Sequence, residues 1–251
     1  MKIKKILVSQ PEPKNDKSPY SELADKNNLK IDFRPFIQVE GVPVKEFRQE
    51  RIDILAHTGV IFTSRTAVDN YFRIAEESRV TIPDTMKYFC ISEATAFYLQ
   101  KYIVYRKRKI FYGNGTFAHL METIKKHKEE KFLVPLSDTH KEEIPKKLEQ
   151  AKIKYSKAIM YRTVSADLSD LSNVNYDMLG FYSPSGIKSL IENFPDFKQN
   201  NTQIATFGPK TAKAVKDAGL KVNVKAPTKE APSMTMAIDQ FINANGKAKK
   251  K

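Results

Sequence analysis

Short apolar runs alternate with amphipathic stretches along almost the whole chain, and this alternation predicts strands and helices in turn. Ile3 to Ser9 is a β-branched run stopped by Pro11 and Pro13, the pattern of a buried parallel strand that ends in a loop. Ser18 and Pro19 then open a helix to Asn27 as N-cap and first helical residue. Leu29 to Phe36 alternates apolar and polar positions and predicts a second strand, so the chain begins as a βαβ unit. After Gly41 and Pro43, a helix from Val44 to about Ala56 leads to strand 59–63. Helix 66–77, strand 87–91, helix 93–100, strand 109–112, helix 115–127, strand 131–136, helix 140–151 and strand 153–160 follow. A shorter set comprises strand 177–182, helix 185–194, strand 203–207, helix 209–218, strand 220–224 and helix 232–243. Such alternation implies α/β architecture, with mainly parallel sheets covered by helices on both faces.

Two patterns within this alternation occur twice, in the same order. Val60-Ile61-Phe62-Thr63-Ser64 runs into Ala67-Val68, and Leu179-Gly180-Phe181-Tyr182-Ser183 runs into Gly186-Ile187. Ser92-Glu93-Ala94-Thr95-Ala96 is echoed by Gly208-Pro209-Lys210-Thr211-Ala212, at 31 residues from Ser64 to Thr95 and 28 from Ser183 to Thr211. The doubling reads as an internal duplication and predicts two domains. The shorter set has three predicted strands where the central set has five, and adding the N-terminal pair to it gives five in each. Domain 1 is then discontinuous, 1–38 with 165–251, and domain 2 is the insertion 39–164. The chain crosses near 39–42 and again near 161–164. A two-stranded hinge of this kind limits domain motion to bending about one line.

With 251 residues, 41% of them hydrophobic, the chain can fill two cores. Net charge is +14, so the molecule attracts anions. Many lysines fall on predicted helix faces and read as solvated surface, and Lys247, Lys249, Lys250 and Lys251 read as a frayed tail. The single cysteine, Cys90, excludes an intrachain disulfide and suits a reducing cytoplasm. No stretch approaches the ~20 apolar residues of a membrane span, and the expectation is a soluble, cytoplasmic monomer with no membrane partner. His57, His119, His127 and His140 lack metal-ligand spacing, so no metal is expected.

Candidate chemistry lies at the strand ends. In a parallel α/β sheet ligands gather where strands end and helices begin, because first-turn N–H groups are free there and carry partial positive charge. Ser64, Ser92, Ser183, Ser185, Gly208 and Thr211 all sit at or beside a predicted helix start. Ser and Thr also cap helices without any ligand, but four such turns in duplicate, converging on a cleft between domains, favour binding. Gly113-Asn114-Gly115 lacks the remaining residues of a dinucleotide or P-loop signature. Ser64 and Ser183 lack the flanking glycines of a nucleophile elbow. Arg106 to Lys109, with Tyr102 and Tyr105 nearby, reads as a solvated turn in preference to a nucleic-acid patch.

Together these segments resemble the uroporphyrinogen-III synthase family over nearly the whole chain. The resemblance is carried by Ile-Phe-Thr-Ser at 61–64, Ala-Thr-Ala at 94–96, Tyr161-Arg162-Thr163-Val164, Phe181-Tyr182-Ser183-Pro184-Ser185-Gly186 and Phe207-Gly208-Pro209-Lys210-Thr211-Ala212. It implies two flavodoxin-like parallel-sheet domains on a two-stranded linker. It also implies a cofactor-free lyase that closes the linear tetrapyrrole hydroxymethylbilane with inversion of the last pyrrole ring and loss of water, in haem biosynthesis. The substrate carries eight carboxylates, which suits a basic site lined with helix N-termini. By the same resemblance, Tyr161 matches the hinge tyrosine that assists departure of the hydroxyl group, and Thr63, Ser64, Thr95, Ser183, Ser185, Gly208 and Thr211 match positions that hold acetate and propionate groups. Lys210 lies beside them and adds charge. Ser92 and Ser137 stand where the family usually has glycine, and Lys141 stands where arginine is common. The rival reading is a non-catalytic relative that binds a polycarboxylate or other anion in the same cleft.

Overall fold

The computed structural model describes residues 3–15, 17–172 and 174–247, so lysines 249–251 of the expected tail lie outside the described residues. The chain divides into two compact units, one holding residues up to Gln38 and from Val164 onward, the other Val39–Thr163.

The first unit contains strands β1 (Lys5–Val8) and β2 (Lys30–Phe33) from the N-terminal part. Its later strands are β9 (Met178–Phe181), β10 (Gln203–Phe207) and β11 (Val224–Ala226). They form a parallel sheet in the order β11-β10-β9-β1-β2. Helices α1 (Pro19–Asn27), α7 (Pro184–Asn193), α8 (Pro209–Asp217) and α9 (Met234–Lys247) belong to this unit. The second unit holds β4 (Gly59–Phe62), β5 (Lys87–Cys90), β6 (Ile110–Tyr112) and β7 (Phe132–Ser137). Two further strands, β3 (Ile37–Gly41) and β8 (Tyr155–Ser165), run across the unit boundaries, and the sheet order is β3-β8-β7-β4-β5-β6. Its helices are α2 (Val44–Gln49), α3 (Arg65–Glu77), α4 (Glu93–Tyr98), α5 (Phe117–Ile124) and α6 (Glu143–Gln150).

Numbered along the chain, the first sheet has the flavodoxin order 2-1-3-4-5. The second sheet has the same order when its strands are counted from β7, so it is a circular permutation of the first with β3 added at the edge. This equates β4 with β9 and β5 with β10, the strands that carry the duplicated sequence patterns. In each sheet the order reverses at one switch point, between β1 and β9 in one and between β7 and β4 in the other.

Strand side chains alternate between two cores in each unit. Val60 and Phe62 pack with Tyr71 and Tyr88 on one face of the second sheet, whereas Ile61 joins Phe89, Leu120 and Phe132 on the other. Ile6 and Val8 face Met178 and Ile238 in the first unit, and Leu7 faces Phe181 and Ile204. Cys90, buried and unpaired, has its thiol pushed up to about 12 by burial, which makes it a packing residue.

Three expectations need correction. The helix expected over 44–56 ends at Gln49: Arg51 takes a left-handed φ of 54°, and Asp53 accepts from the Leu55 N–H to start a separate 3₁₀ turn at Ile54–Ala56. The last strand is displaced from 220–224 to Val224–Ala226. The Gln199 side chain holds the connection before it by accepting from the Lys221 N–H and donating to the Lys221 carbonyl. The stretch 37–41, expected only at one arm of the two-stranded crossing and outside the five strands of domain 2, is a sixth strand of that sheet because β8 extends to Ser165 and offers it an edge. Arg73 secures that edge by donating to the carbonyls of Val42 and Met160. Gly41 leaves room for it, since a Cβ there would lie 2.5 Å from an Arg73 guanidinium nitrogen.

His57 is buried, its Nδ1 donates to the Asp53 carbonyl at 2.8 Å, and its Nε2 has no partner among the described residues. Burial chiefly, with nearby Lys131, holds its pKa below the usual histidine value against the opposing effect of that carbonyl. The unfolded chain therefore binds more protons than the folded one from about pH 6.5 downward, and stability should fall as pH drops through that region. Urea midpoints at pH 7.5 and 5.5 should differ in that direction, and His57→Gln should reduce the difference.

Candidate active site

At the switch point of the second sheet, β4 hands over to α3 through Thr63 and Ser64. Ser64 has extended backbone and caps the helix, its Oγ accepting from the Ala67 N–H at 3.0 Å. That leaves the first two amides of the helix, those of Arg65 and Thr66, without an intrahelical acceptor. Tyr161, on β8, is 9% exposed with its ring in the core, and its hydroxyl lies 3.3 Å from Ser64 Oγ. Of the residues the sequence nominates, these two are brought together, in a position where a phenol O–H borders a helix N-terminus.

The far side of the same switch point is built by the end of β7. Ser137 donates to Asp138 Oδ1 at 2.8 Å, and the carboxylate also accepts from the Thr139 and Thr163 amides. Desolvation by its neighbours opposes ionisation of the exposed Asp138, but Ser137, the two amides and the Arg162 charge outweigh it and hold the carboxyl below the ordinary range. Ser137, in the place of a family glycine, thus caps its own loop. Asp138 had no distinctive signal in the sequence, because Ser-Asp-Thr after a strand reads as a common turn. Lys141 is exposed in the connection to α6.

One strand further along, Ser92 caps α4 through its Oγ and also meets Thr95 Oγ1 at 3.1 Å. Thr95 is 5% exposed, so its hydroxyl serves the turn. Its counterpart Thr211, on α8, is 2% exposed. The two turns differ in backbone. Gly208 has φ 87° and ψ 151°, a conformation that disfavours any side chain, whereas Ser92 is extended at φ −146° and substitutes a side-chain cap for a special backbone.

In the first unit, Ser183 follows β9 and caps α7 by accepting from the Gly186 N–H at 3.2 Å, with Pro184 in the first turn. Ser185 is half-buried in that turn, and Lys210 is exposed in the first turn of α8. Tyr182 stacks on Phe207 at 5.6 Å between centroids, and its hydroxyl bonds that of Tyr20. Each unit therefore presents hydroxyls and helix starts along the carboxyl ends of its strands.

Two other groups are already satisfied. Arg106 pairs with Asp84 and Lys109 donates to the Asp84 carbonyl, as befits a solvated turn. His127, Glu129 and Glu130 bring potential ligand atoms within 4.8 Å of one another, but the Lys87 ammonium already bonds Glu130 there.

A duplicated, permuted pair of flavodoxin-order sheets, with capped helix starts at both switch points, defines a two-unit α/β protein suited to acidic ligands. The family model described as uroporphyrinogen-III synthase HemD matches residues 18–236, and the chain belongs to that family of cyclising lyases, whose reaction serves haem biosynthesis. The solved structure of uroporphyrinogen-III synthetase from Helicobacter pylori has the same fold at 16% identity, with a TM-score of 0.56 over 96% of this chain and 100% of that one. A mutant uroporphyrinogen III synthase from the extremely thermophilic bacterium Thermus thermophilus aligns at 16% identity with a TM-score of 0.48, over 96% of this chain and 99% of that one. No curated protein sequence matches the chain. Among the described residues no helix is long and apolar enough to cross a membrane.

Proposed function

We propose that the chain converts hydroxymethylbilane to uroporphyrinogen III in the cytoplasm, with Tyr161 as its catalytic residue and with 1–38 plus 165–251 and 39–164 as its two domains. The observation that carries this reading is the Tyr161 hydroxyl beside Ser64 at the second unit's switch point. There the phenol donates a hydrogen bond to the departing hydroxyl; as the C–O bond breaks the phenol proton leaves with it as water, and the proton released from the pyrrole ring when the new C–C bond forms returns to the phenolate. Spontaneous closure gives the uninverted isomer, so the remaining task is to hold the chain where the inverted bond forms first. Acetate and propionate groups are held at the helix starts that bear Thr63, Ser64, Ser183, Ser185 and Gly208, with Lys210 adding charge. Thr95 and Thr211 contribute by shaping their turns, because their side chains are buried. Buried, unpaired Cys90 fits a reducing compartment.

Membership of the family favours this reaction over non-catalytic anion binding. Chelator-treated protein should consume hydroxymethylbilane faster than it closes spontaneously, and at an unchanged rate when divalent metals are restored. Consumption at the spontaneous rate would support the non-catalytic relative.

A further inference from the structure

We infer that Asp138 is a positioning residue for Tyr161: its main chain and its carboxylate grip the β8 backbone at that residue and two positions beyond it and fix where the phenol points. This inference rests on the catalytic reading of Tyr161.

The β7–β8 register slips between Leu136 and Ser137, which places Ser137 opposite Tyr161. A slip of this kind re-aims the side chain on the neighbouring strand and weakens the regular ladder that would otherwise hold it. Asp138 replaces the lost ladder. Its N–H donates to the Tyr161 carbonyl at 3.2 Å, and its Oδ1 accepts from the Thr163 N–H at 3.2 Å. One residue therefore bonds β8 at Tyr161 and again two positions later.

The grip is itself well anchored. Oδ1 also takes the Ser137 hydroxyl at 2.8 Å and the Thr139 amide at 2.9 Å, so three donors converge on one oxygen, an arrangement that suits an ionised carboxylate. Ser64 alone would hold the phenol loosely, because 3.3 Å is long for a bond between hydroxyls. The direction of the Tyr161 O–H thus depends on the backbone beneath it. Asp138 is exposed and lies outside the apolar cores, so its removal acts on this geometry more than on folding.

The experiment is a double-mutant cycle read in kcat and KM for hydroxymethylbilane. Asp138→Ala should lower kcat about tenfold with KM nearly unchanged, since a displacement of about 1 Å at a reacting group costs up to a hundredfold. Asp138→Asn, which keeps an acceptor within reach of Thr163, should recover most of that loss. Asp138→Ser, whose hydroxyl falls short of Thr163, should behave like the alanine variant and serves if that variant folds poorly. In a Tyr161→Phe background, Asp138→Ala should change kcat less than about twofold, because no phenol remains to be aimed. An equal loss in both backgrounds, or wild-type kcat in Asp138→Ala while Tyr161→Phe is impaired, overturns the role of Asp138 alone. Wild-type kcat in Tyr161→Phe overturns the catalytic reading beneath it.

Discussion

Replacing Tyr161 with Phe should lower kcat for hydroxymethylbilane closure by about a hundredfold, a barrier increase of about 2.7 kcal/mol, while KM and the fold stay close to wild type. The ring is 9% exposed and packs among the core residues of the second unit, and phenylalanine preserves that packing. What disappears is one O–H group beside the N-terminus of α3. Its bond to Ser64 is long, so its removal should cost less than about 1 kcal/mol of stability. An effect on kcat alone is the signature of an interaction made only in the transition state. Steady-state kinetics together with a thermal melt would check both halves, and unchanged kcat in a well-folded variant would remove Tyr161 from the mechanism.

Gly208→Ala should be the second large effect, through the backbone. At φ 87° and ψ 151° Gly208 occupies a region that residues with a Cβ rarely enter, although nothing lies within 4 Å of where that Cβ would be. The cost is therefore conformational, about 1–3 kcal/mol in urea-derived stability. Relief of the strain would shift the turn and disturb the bond from the Gly208 N–H to the Ala226 carbonyl at 2.6 Å, so KM should rise as well. The matching change in the other copy, Ser92→Gly, should cost only a few tenths of a kcal/mol, because it exchanges one accepted N-cap for another. Equal stability losses at the two positions would contradict the backbone difference between the turns.

The contrast between these two turns shows what the sequence could reveal. Loss of glycine at Ser92 was visible, but its consequence was not, since only the backbone shows that a capping side chain replaces a positive φ. Local signals were legible: Ser18, Ser64, Ser92 and Ser183 each cap the helix that their positions predicted. The helix start is decided within three residues, so such signals survive without tertiary context. Non-local features were less so. β3 is a strand because β8 is long enough to pair with it, and the break after α2 depends on Arg51 adopting a left-handed φ. The circular permutation of the second sheet is a matter of strand order, to which a walk along the chain is blind. Within the candidate site, Ser64 and Tyr161 are 97 positions apart, and their meeting had to come from the fold or from family resemblance. Asp138 lacked both supports, because its partners Tyr161 and Thr163 lie on the neighbouring strand.

The most direct test of the whole account is the isomer of the product. Purified protein should be given hydroxymethylbilane and the resulting uroporphyrinogens, after oxidation, separated by chromatography. Uroporphyrinogen III in large excess over the uninverted isomer is the predicted result, and a product consisting only of uroporphyrinogen I would contradict it.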